Sequence, residues 1–466
     1  MQSDDINSIY TKNGAGKIEI AKSPLREFIR ANGFRKLKNS NTDYTFVQIQ
    51  HNIVKKVAPF IIRDFVIEQA DQTRDHNLIE AVLEQAGKMM TDKSLEYLLS
   101  SEELKFKRGT KDMAFFYFEN GFVEITKDTI YLKDYVELDT PIWESKLRKR
   151  KINLNEQGLS DFFLFIDHLV DGDPERFKSL CSIIGYLLHD FKCPSESRVA
   201  IFVDRTLSNS TKANGGTGKS LLVQGLKEMV ETVTQDGKNL KMSSNFQFQQ
   251  ISKETELLYY DDVNPEFPFD KFYSFITAGV SVEAKYQKEF YLPYEESPKM
   301  VVSSNYIVKG TGGNSDRRRR LDFEIADHYR TNPSPAEEFG KHFFTNDWNN
   351  HDWNCFYNFM FSCVQLYLAH GIIEPEPINL KWNEFVCSTN ESFAEFAGNH
   401  LLSERKLEKE DILKEFIEQY PDYRYLKTNT FTKWIDAWAE YQCKSLKIEQ
   451  KQSNNKNLVI ITQLQQ

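Results

Sequence analysis

A short glycine-rich segment ends in a lysine and a serine, in the order Ala213-Asn214-Gly215-Gly216-Thr217-Gly218-Lys219-Ser220. Glycines let backbone N–H groups converge on a phosphate without steric clashes, and the positive end of a following helix adds to the attraction. Lys219 would contact the β and γ phosphates of ATP, and the Ser220 hydroxyl would bind Mg²⁺. We therefore predict that nucleotide is bound by Gly215, Gly216, Thr217, Gly218, Lys219 and Ser220.

Two features depart from the strict P-loop pattern. Ala213 stands where the pattern has its first glycine, and the stretch from Val203 to Gly215 is longer than a tight strand-to-loop turn. Taken alone, the segment could be a chance glycine-rich turn. The residues that follow it along the chain favour the functional interpretation.

An apolar run further along ends in two acids, Asp261 and Asp262, which follow Leu257-Leu258-Tyr259-Tyr260. A strand with this ending brings carboxylates to the edge of a sheet. There Asp261 would bind Mg²⁺, and Asp262 would orient or deprotonate the attacking water. A strand that simply runs into an acidic turn is the alternative.

Two further features follow along the chain. The run Met300 to Ser304 ends in Asn305, whose amide could contact the γ-phosphate or the lytic water, although an asparagine after a strand is usually a turn residue. Four consecutive arginines, 317–320, then precede another strand-like run. A guanidinium group stabilises charge on a transferring phosphoryl group, but an arginine run could also be solvated or bind nucleic acid.

The elements around these residues indicate an α/β core. Short apolar runs at 199–203, 257–260 and 300–302 are typical of buried parallel strands. They alternate with helical stretches such as Ser220 to Thr232. A parallel sheet with these residues at one edge is therefore expected.

The flanking regions have other patterns. A strand is predicted over 44–48 and helices over 77–99 and 157–190, while Met113 to Tyr135 alternates across an Asn120-Gly121 turn like a β-meander. Asp171-Gly172-Asp173 is read as a turn. The basic run Lys146 to Lys151 favours a solvated linker over a DNA-facing patch.

The chain turns aromatic and helical from about residue 335 to His370, and a proline-containing stretch follows. A helix with Phe431, Trp434, Ile435 and Trp438 on one face, followed by a strand over 458–461, fits a winged-helix-like module. We expect domains at 1–105 (accessory), 106–195 (meander and helices), 196–335 (ATPase core), 336–392 (helical extension) and 393–466 (winged-helix-like).

Bulk composition excludes several classes of protein. The chain has 466 residues, 27% of them charged, and a net charge of −9, which argues against a protein coated in nucleic acid. No apolar run approaches the roughly 20 residues of a membrane span, and the start lacks a secretory pattern, so a cytoplasmic protein is expected. The six cysteines and nine histidines show no zinc-binding spacing, and buried reduced thiols are predicted.

Residues 155–330 resemble the superfamily 3 helicases, which include poxvirus-type primase-helicases and their phage and plasmid relatives. The resemblance rests on Gly215 to Ser220, on Asp261-Asp262, on Asn305 and on the trailing arginines, in this order. It implies an α/β fold with a P-loop, AAA+-like ATPase core, a helical N-terminal flank and a helical or winged-helix-like C-terminal module. It also implies an ATP- and Mg²⁺-dependent DNA helicase in phage, viral or mobile-element replication.

The resemblance assigns roles to further residues. The segment Gly279 to Lys288 looks like the family's DNA-contacting hairpin, with Lys285 and Tyr286 at its tip and Lys288 beside them. An ammonium group can follow a phosphate backbone, and an aromatic ring can stack on bases. The family's arginine finger maps to Arg319, with Arg318 and Arg320 as alternatives.

The family also implies partners. Members typically form hexameric rings in which the arginine finger reaches a neighbour's nucleotide, so single-stranded or forked DNA and further copies of the chain are expected partners. A separate primase or polymerase is a candidate partner, whereas primase activity in this chain is not predicted.

Two other functions stay open. A P-loop ATPase of another class, such as a packaging motor or nucleotide kinase, is disfavoured by the spacing of Lys219, Asp261 and Asn305 and by the hairpin. A nucleotide-gated initiator or loader that does not unwind DNA differs from a helicase only in turnover and unwinding.

Overall fold

A computed structural model describes residues 5–12, 14, 17–38, 43–206, 216–240, 247–283, 289–310, 313–402, 404–443, 445–453 and 456–464. The described chain is a mixed α/β protein with a central parallel sheet and many helices. None of its helices is both long and apolar enough to cross a membrane.

The N-terminal region packs four helices against short strands. Helix α1 buries Leu25, Phe28 and Ile29, the i, i+3, i+4 pattern of an amphipathic helix. The strand expected over 44–48 is confirmed as part of β4. The elements are β1 (Tyr10–Lys12), β2 (Ile18–Ile20), α1 (Lys22–Ala31), β3 (Phe34–Lys38), β4 (Tyr44–Gln50), β5 (Ile53–Lys56), α2 (Pro59–Thr73), α3 (His76–Met89), α4 (Asp92–Leu98) and β6 (Ser101–Glu102).

The predicted β-meander is confirmed. Three consecutive antiparallel strands are joined by tight turns, the first of which uses Gly121 at φ 142°, a value that favours glycine. The strands here are β7 (Met113–Phe118), β8 (Gly121–Thr126), β9 (Ile130–Lys133), β10 (Ile142–Trp143) and β11 (Leu147–Arg148).

Two residues of the basic run 146–151, Lys146 and Arg148, contact other parts of the protein, so at these positions the run is neither a solvated linker nor a DNA-facing patch. The Lys146 ammonium is bound between Asp190 (3.2 Å) and Glu256 (2.7 Å). The Arg148 guanidinium donates to the backbone carbonyl of Met229. Both expectations from the charge run were wrong at these positions, because acids distant in sequence meet the run in the fold.

Two helices precede the parallel sheet, α5 (Asp161–His168) and α6 (Pro174–Leu188). Between them the chain turns through Asp171 and Gly172, both at positive φ, and Asp173 caps α6 by accepting hydrogen bonds from two of its first backbone N–H groups. The turn predicted at this position is confirmed.

The parallel sheet has the strand order β13-β14-β17-β12-β18, and every pairing in it is parallel. Its first and last strands in the chain, β12 and β18, are neighbours. The elements of this region are β12 (Val199–Asp204), α7 (Lys219–Lys227), β13 (Thr232–Asp236), β14 (Leu257–Val263), α8 (Tyr273–Ala278), β15 (Gly279–Val282), β16 (Phe290–Pro293), β17 (Lys299–Ser304), α9 (Gly313–Arg317) and β18 (Arg320–Ile325).

The helix expected to run to Thr232 ends five residues earlier, at Lys227. The β-branched residues that follow, including Thr232, Val233 and Thr234, form strand β13 instead. Branching at Cβ favours extended backbone over helix, and pairing with β14 stabilises the strand.

Both faces of the sheet are buried, which explains the continuous apolar runs in the sequence. On β12, Ala200 and Phe202 pack in one core with α5, α6 and α12 (Asn350–His370). Val199, Ile201 and Val203 face a second core built from aromatic residues around α8.

The C-terminal region alternates helices with a three-stranded antiparallel sheet of order β19-β21-β20. Phe431, Trp434, Ile435 and Trp438 are buried on one face of α16, as the sequence pattern predicted. The further elements are α10 (His328–Thr331), α11 (Pro335–Phe339), α12, α13 (Leu380–Ser388), α14 (Glu391–His400), β19 (Arg405–Glu408), α15 (Lys409–Gln419), α16 (Thr428–Tyr441), β20 (Leu446–Ser453) and β21 (Lys456–Gln463).

All six cysteines are free thiols, in agreement with the expectation of reduced cysteines. The expectation that they are buried is wrong for Cys387 and Cys443, which are exposed, and Cys193 is half-buried.

Candidate functional site

The glycine-rich segment enters α7 at the carboxyl edge of the sheet, beside the end of β12. Gly216 and Gly218 have φ of 102° and 100°, a conformation that favours glycine. A Cβ atom on Gly218 would lie 2.8 Å from a methyl group of Leu169, so the side chain of any other residue would clash there. Gly215, together with Ala213 and Asn214, lies outside the described residues.

Lys219, the first residue of α7, is only 7% exposed. Its ammonium donates to the Asp204 carboxylate, to Asn305 Oδ1 at 2.9 Å and to Thr217 Oγ1 at 3.1 Å. Burial lowers the pKa of Lys219, and the nearby charge of Asp204 opposes that shift. The cation is thus held at the sheet edge by residues from two strand ends and the loop.

Asn305 follows β17 and joins Lys219 to Asp262. Its Oδ1 accepts from Lys219, and its Nδ2 donates to Asp262 Oδ1 at 2.8 Å. Asp262 has φ 50° and also pairs with Lys238, which raises the pKa of that lysine. The structure therefore brings together three of the predicted residues, Lys219, Asp262 and Asn305.

Asp261 lies beside these residues and is held by two hydroxyl groups. Tyr259 donates to Asp261 Oδ1 at 2.5 Å, and Ser303 donates to the same oxygen at 3.0 Å. The Tyr259 hydroxyl also interacts with the Ser220 side chain, and burial raises the pKa of that phenol. Ser220 and Asp261, the predicted Mg²⁺ ligands, are thus grouped around one phenol.

Tyr259 and Ser303 are site residues that the sequence analysis missed. Tyr259 precedes Asp261 by two positions in a strand, so the two side chains share a face. Ser303 lies near the end of β17, the strand that pairs with β14. Because residues two apart in a strand share a face, the spacing of Tyr259 and Asp261 could have identified Tyr259 as a site residue.

Asp204 is a third missed residue. It ends the apolar strand β12 and is 2% exposed. It accepts from Thr217 Oγ1 at 2.6 Å and from the Lys219 ammonium, and Arg330 lies 3.2 Å from its second oxygen. The sequence could have indicated Asp204, because it directly follows an apolar run, just as Asp261 follows the apolar run Leu257 to Tyr260.

The arginine run lies at the opposite edge of the sheet. In the β12–β18 register, Arg320 pairs with Val199 and Ile325 with Asp204. Five residues of strand separate the two edges by about 16 Å. Arg319, immediately before β18, is therefore remote from Lys219 of its own chain.

The four arginines differ in their contacts. The Arg320 side chain is 8% exposed and forms two hydrogen bonds with Asp322 (2.9 and 2.7 Å), so it has a structural partner. Arg319 donates to the Ser315 carbonyl and hydroxyl, both at 2.6 Å, and lies over the Tyr273 ring. Arg317 and Arg318 are exposed. Arg320 is thereby the least available of the three finger candidates named from the sequence.

The predicted hairpin is present as the antiparallel pair β15–β16, with Gly279 opposite Pro293 and Val282 opposite Phe290. Its tip residues, Lys285, Tyr286 and Lys288, lie outside the described residues. The arrangement of the predicted DNA-contacting side chains therefore stays a prediction.

Two histidines far apart in sequence meet close to the glycine-rich loop. His168 and His328 stack with ring centroids 4.3 Å apart, and ligand atoms of both lie within 4.8 Å of a Glu338 oxygen. The Tyr329 hydroxyl is 3.0 Å from His168 Nδ1 and donates to Glu338 at 2.9 Å. Residue spacing could not reveal this group, because its members come from α5, α10 and α11.

One family model matches part of the chain. It is described as a family of unknown function (DUF5906), and it matches residues 212–320, from the glycine-rich loop to the start of β18. No curated protein matches the chain.

Solved structures resemble the chain at low identity. The A form apo structure of the NrS-1 C-terminal region is 10% identical with a TM-score of 0.44, and covers 94% of this chain and 98% of its own. A second NrS-1 structure, of residues 305–718, is 12% identical with the same TM-score. A JCV helicase bound to an acetamide compound is 11% identical with a TM-score of 0.27, and covers 60% of this chain and 64% of its own.

Proposed function

We propose that the chain is an ATP-hydrolysing motor of the superfamily 3 helicase type that acts on DNA during replication of a phage, virus or mobile element. The observation that carries the proposal is the contact of Lys219 with Asn305, and of Asn305 with Asp262, at the carboxyl edge of a five-stranded parallel sheet. In open parallel sheets this edge is where ligands bind.

Each residue has a defined task in this proposal. Lys219 binds the β and γ phosphates, and Asn305 contacts the γ-phosphate or the water. Asp262 orients the attacking water and receives its proton. Gly216, Thr217 and Gly218, with Gly215, hold the phosphates through the backbone.

Ser220 and Asp261 would hold Mg²⁺, which neutralises charge on the β and γ phosphates. Their fit rests on donor chemistry, since a hydroxyl and a carboxylate are the hard oxygen ligands that Mg²⁺ prefers. Both are grouped around the Tyr259 hydroxyl, which keeps the carboxylate in place before nucleotide arrives.

The proposed assembly is a homo-oligomeric ring, hexameric as in the family. Arg319 supports this part of the proposal, because it lies at the sheet edge opposite Lys219 and could reach only a neighbour's nucleotide. The β15–β16 hairpin would present Lys285, Tyr286 and Lys288 to DNA.

The outer regions complete the proposal. The C-terminal elements α14, β19, α15, α16, β20 and β21, with a three-stranded antiparallel sheet, support a winged-helix-like module over 393–466. The N-terminal residues 1–105, with their own apolar core, would form an accessory domain.

The experiment that tests the proposal measures ATP hydrolysis with and without single-stranded DNA, together with unwinding of 3′-tailed and 5′-tailed duplexes. We expect DNA-stimulated hydrolysis and unwinding of one tailed substrate. Stimulated hydrolysis without unwinding of either substrate would instead indicate a packaging motor or a nucleotide-gated initiator.

A further inference from the structure

One buried carboxylate at the candidate nucleotide site has no task in the proposed reaction. Asp204 ends β12 and is 2% exposed. One of its oxygens accepts from Lys219 and from Thr217 Oγ1 (2.6 Å), and the other lies 3.2 Å from the Arg330 guanidinium. A single carboxylate thus engages both cations and the loop hydroxyl.

The partners of Asp204 are the groups that a polyphosphate would need. Lys219 and Thr217 belong to the glycine-rich segment, and Arg330 reaches the same place from α10, the helix that follows β18 in the chain. Arg330 is itself anchored, because it pairs with Asp327 at 2.8 Å and donates to the Thr206 carbonyl at 2.9 Å.

We propose that Asp204 is an internal competitor for nucleotide phosphate: it holds Lys219 and Arg330 when nucleotide is absent, and the phosphates displace it. Arg330 is then a second phosphate-binding cation, acting within its own subunit. The inference rests on the proposed function, since it describes how the same site exchanges one anion for another.

The physical basis is charge competition in a buried place. Lys219 is buried and Arg330 is half-buried, so two cations held at this place, partly shielded from water, need an anion between them. Asp204 supplies one negative charge, whereas the phosphates of ATP supply several, so ATP is the stronger partner for both cations. Asn305 still contacts Lys219 on its other side and so keeps the ammonium near the proposed γ-phosphate position.

The test uses two substitutions with opposite expected effects. Asp204→Asn removes the competing charge and keeps the side-chain shape, so we expect ATP to bind at least about tenfold more tightly in calorimetric titration. Arg330→Gln removes a phosphate-binding cation, so we expect binding to weaken about tenfold. A pair that only stabilised the fold would weaken ATP binding in both variants.

Thermal unfolding gives a second readout. Without nucleotide, Asp204→Asn should unfold at a lower temperature than wild type, because Lys219 and Arg330 lose their counter-ion. ATP should raise its unfolding temperature by more than that of wild type. Asp204→Ser, which is also uncharged, replaces Asp204→Asn in both measurements if the asparagine variant does not fold.

The matched control is Asp190→Asn, a half-buried carboxylate that also pairs with a lysine, Lys146, but lies at the opposite edge of the sheet. It should lower stability and leave ATP affinity unchanged. If wild type binds ATP and both Asp204 variants bind it no more tightly, the role of Asp204 as a competitor is overturned, while the proposed function still stands. Wild-type protein that binds no ATP would instead overturn the proposed function.

Discussion

At the scale of single residues, the candidate site is two acid–lysine pairs joined by one amide side chain. Asp204, Lys219, Asn305, Asp262 and Lys238 contact one another in that order across the carboxyl edge of the sheet. Burial of charged groups costs free energy that pairing offsets only in part. A stable fold does not need these pairs there, whereas binding and hydrolysis of a polyanion do.

The two acids at the end of β14 should separate binding from chemistry. The Asp262→Asn side chain has the same shape and can still accept a hydrogen bond from Asn305. Because an amide cannot take up the proton of the attacking water, ATP should bind and persist unhydrolysed. Asp261→Asn should weaken Mg²⁺-dependent ATP binding, because a neutral amide is a poorer Mg²⁺ ligand than a carboxylate.

Equilibrium binding of ATP with and without Mg²⁺, followed by single-turnover hydrolysis, distinguishes the two variants. Asp236→Asn is the control, since that acid ends the neighbouring strand β13 and accepts hydrogen bonds from the Lys238 backbone N–H and from the Asn239 side chain. Normal hydrolysis by both Asp261→Asn and Asp262→Asn would mean that these acids have another role.

His189 allows a pH prediction that is independent of nucleotide. His189 is 1% exposed, and its Nε2 lies 3.0 Å from the Met113 carbonyl oxygen. Burial, and to a lesser extent the positive charge of Lys299, lowers the pKa of His189 to about 4. Between the ordinary value of 6.5 and about 4, the unfolded chain binds a proton that the folded chain does not. The free energy of unfolding should therefore fall as pH drops through this window.

The expected loss from His189 is about 3 kcal/mol between pH 7 and pH 4, at about 1.4 kcal/mol per pKa unit. Urea unfolding at several pH values should give a flatter profile for His189→Gln than for wild type, by about that amount. His370→Gln, at an exposed position on α12, should follow the wild-type profile. Parallel profiles for wild type and His189→Gln would show that His189 is not held neutral.

Site residues could be predicted where they directly follow an apolar strand. Asp261, Asp262 and Asn305 were recognised for that reason. Asp204 also ends such a strand, but its partners Thr217 and Lys219 lie 13 and 15 residues further along the chain, so its role depends on how the glycine-rich segment folds back. Arg330 could not be found, since only the fold of α10 against β12 brings it to Asp204.

At the scale of elements, strands and helices followed from periodicity, while their ends depended on tertiary contacts. The β-meander and α16 were predicted from their patterns. Helix α7 was predicted too long, because the β-branched residues of β13 only favour extended backbone and the strand also needs its pairing with β14. The contacts of Lys146 could not be predicted either, because its partners Asp190 and Glu256 lie far from it in the sequence and are brought to it only by the fold.

The hairpin β15–β16 carries the prediction that belongs to this scale. Lys285→Ala combined with Tyr286→Ala should keep basal ATP hydrolysis and lose DNA stimulation and unwinding, since these side chains would touch DNA and not nucleotide. Stacking of a base on an aromatic ring contributes about 1–3 kcal/mol, so the loss of DNA affinity should be readily measured.

A matched lysine–tyrosine pair serves as the control for the hairpin. Lys93→Ala combined with Tyr97→Ala changes two exposed residues of α4, in the N-terminal region. That variant should retain wild-type DNA affinity in a fluorescence anisotropy titration at moderate salt. Equal affinities of the two double variants for single-stranded DNA would contradict the DNA-binding role of the hairpin.

At the scale of the whole molecule, the sheet separates the two halves of the proposed active site. Lys219 and the acids lie at its carboxyl edge, and Arg319 lies beyond its amino edge. One chain would therefore offer the proposed nucleotide site at one edge of the sheet and an arginine at the other. A closed ring of identical subunits would place these two surfaces against each other at every interface.

Mixed assembly tests this arrangement. Arg319→Ala and Lys219→Ala should each be nearly inactive alone, since a trans arginine contributes about 10³-fold or more in related phosphoryl-transfer systems. When the two variants are mixed before assembly, some interfaces pair an intact Lys219 with a neighbour's intact Arg319. ATP hydrolysis should then return in proportion to the fraction of such interfaces. Two co-assembled variants that never complement would place the arginine in cis or exclude a shared site.

The mixed α/β character and the parallel sheet could be predicted from the sequence, but the sheet order could not. Apolar runs indicated parallel strands, and both faces of β12 are indeed buried. The order β13-β14-β17-β12-β18 depends on which crossover passes over which face, and no residue pattern in one strand encodes its neighbours. The N-terminal region was described only as mixed, because most of its strands are short and its first two helices, α1 and α2, lack a capping side chain.

ATP hydrolysis by wild type and by Lys219→Ala tests the central claim most directly. Lys178→Ala, at an exposed position on α6, is the control for loss of a lysine, and circular dichroism verifies that all three proteins are folded. We predict turnover by wild type and Lys178→Ala, and none by Lys219→Ala, because the cation that binds the β and γ phosphates is gone. Wild-type turnover in folded Lys219→Ala would contradict the assignment of this sheet edge as an ATPase site.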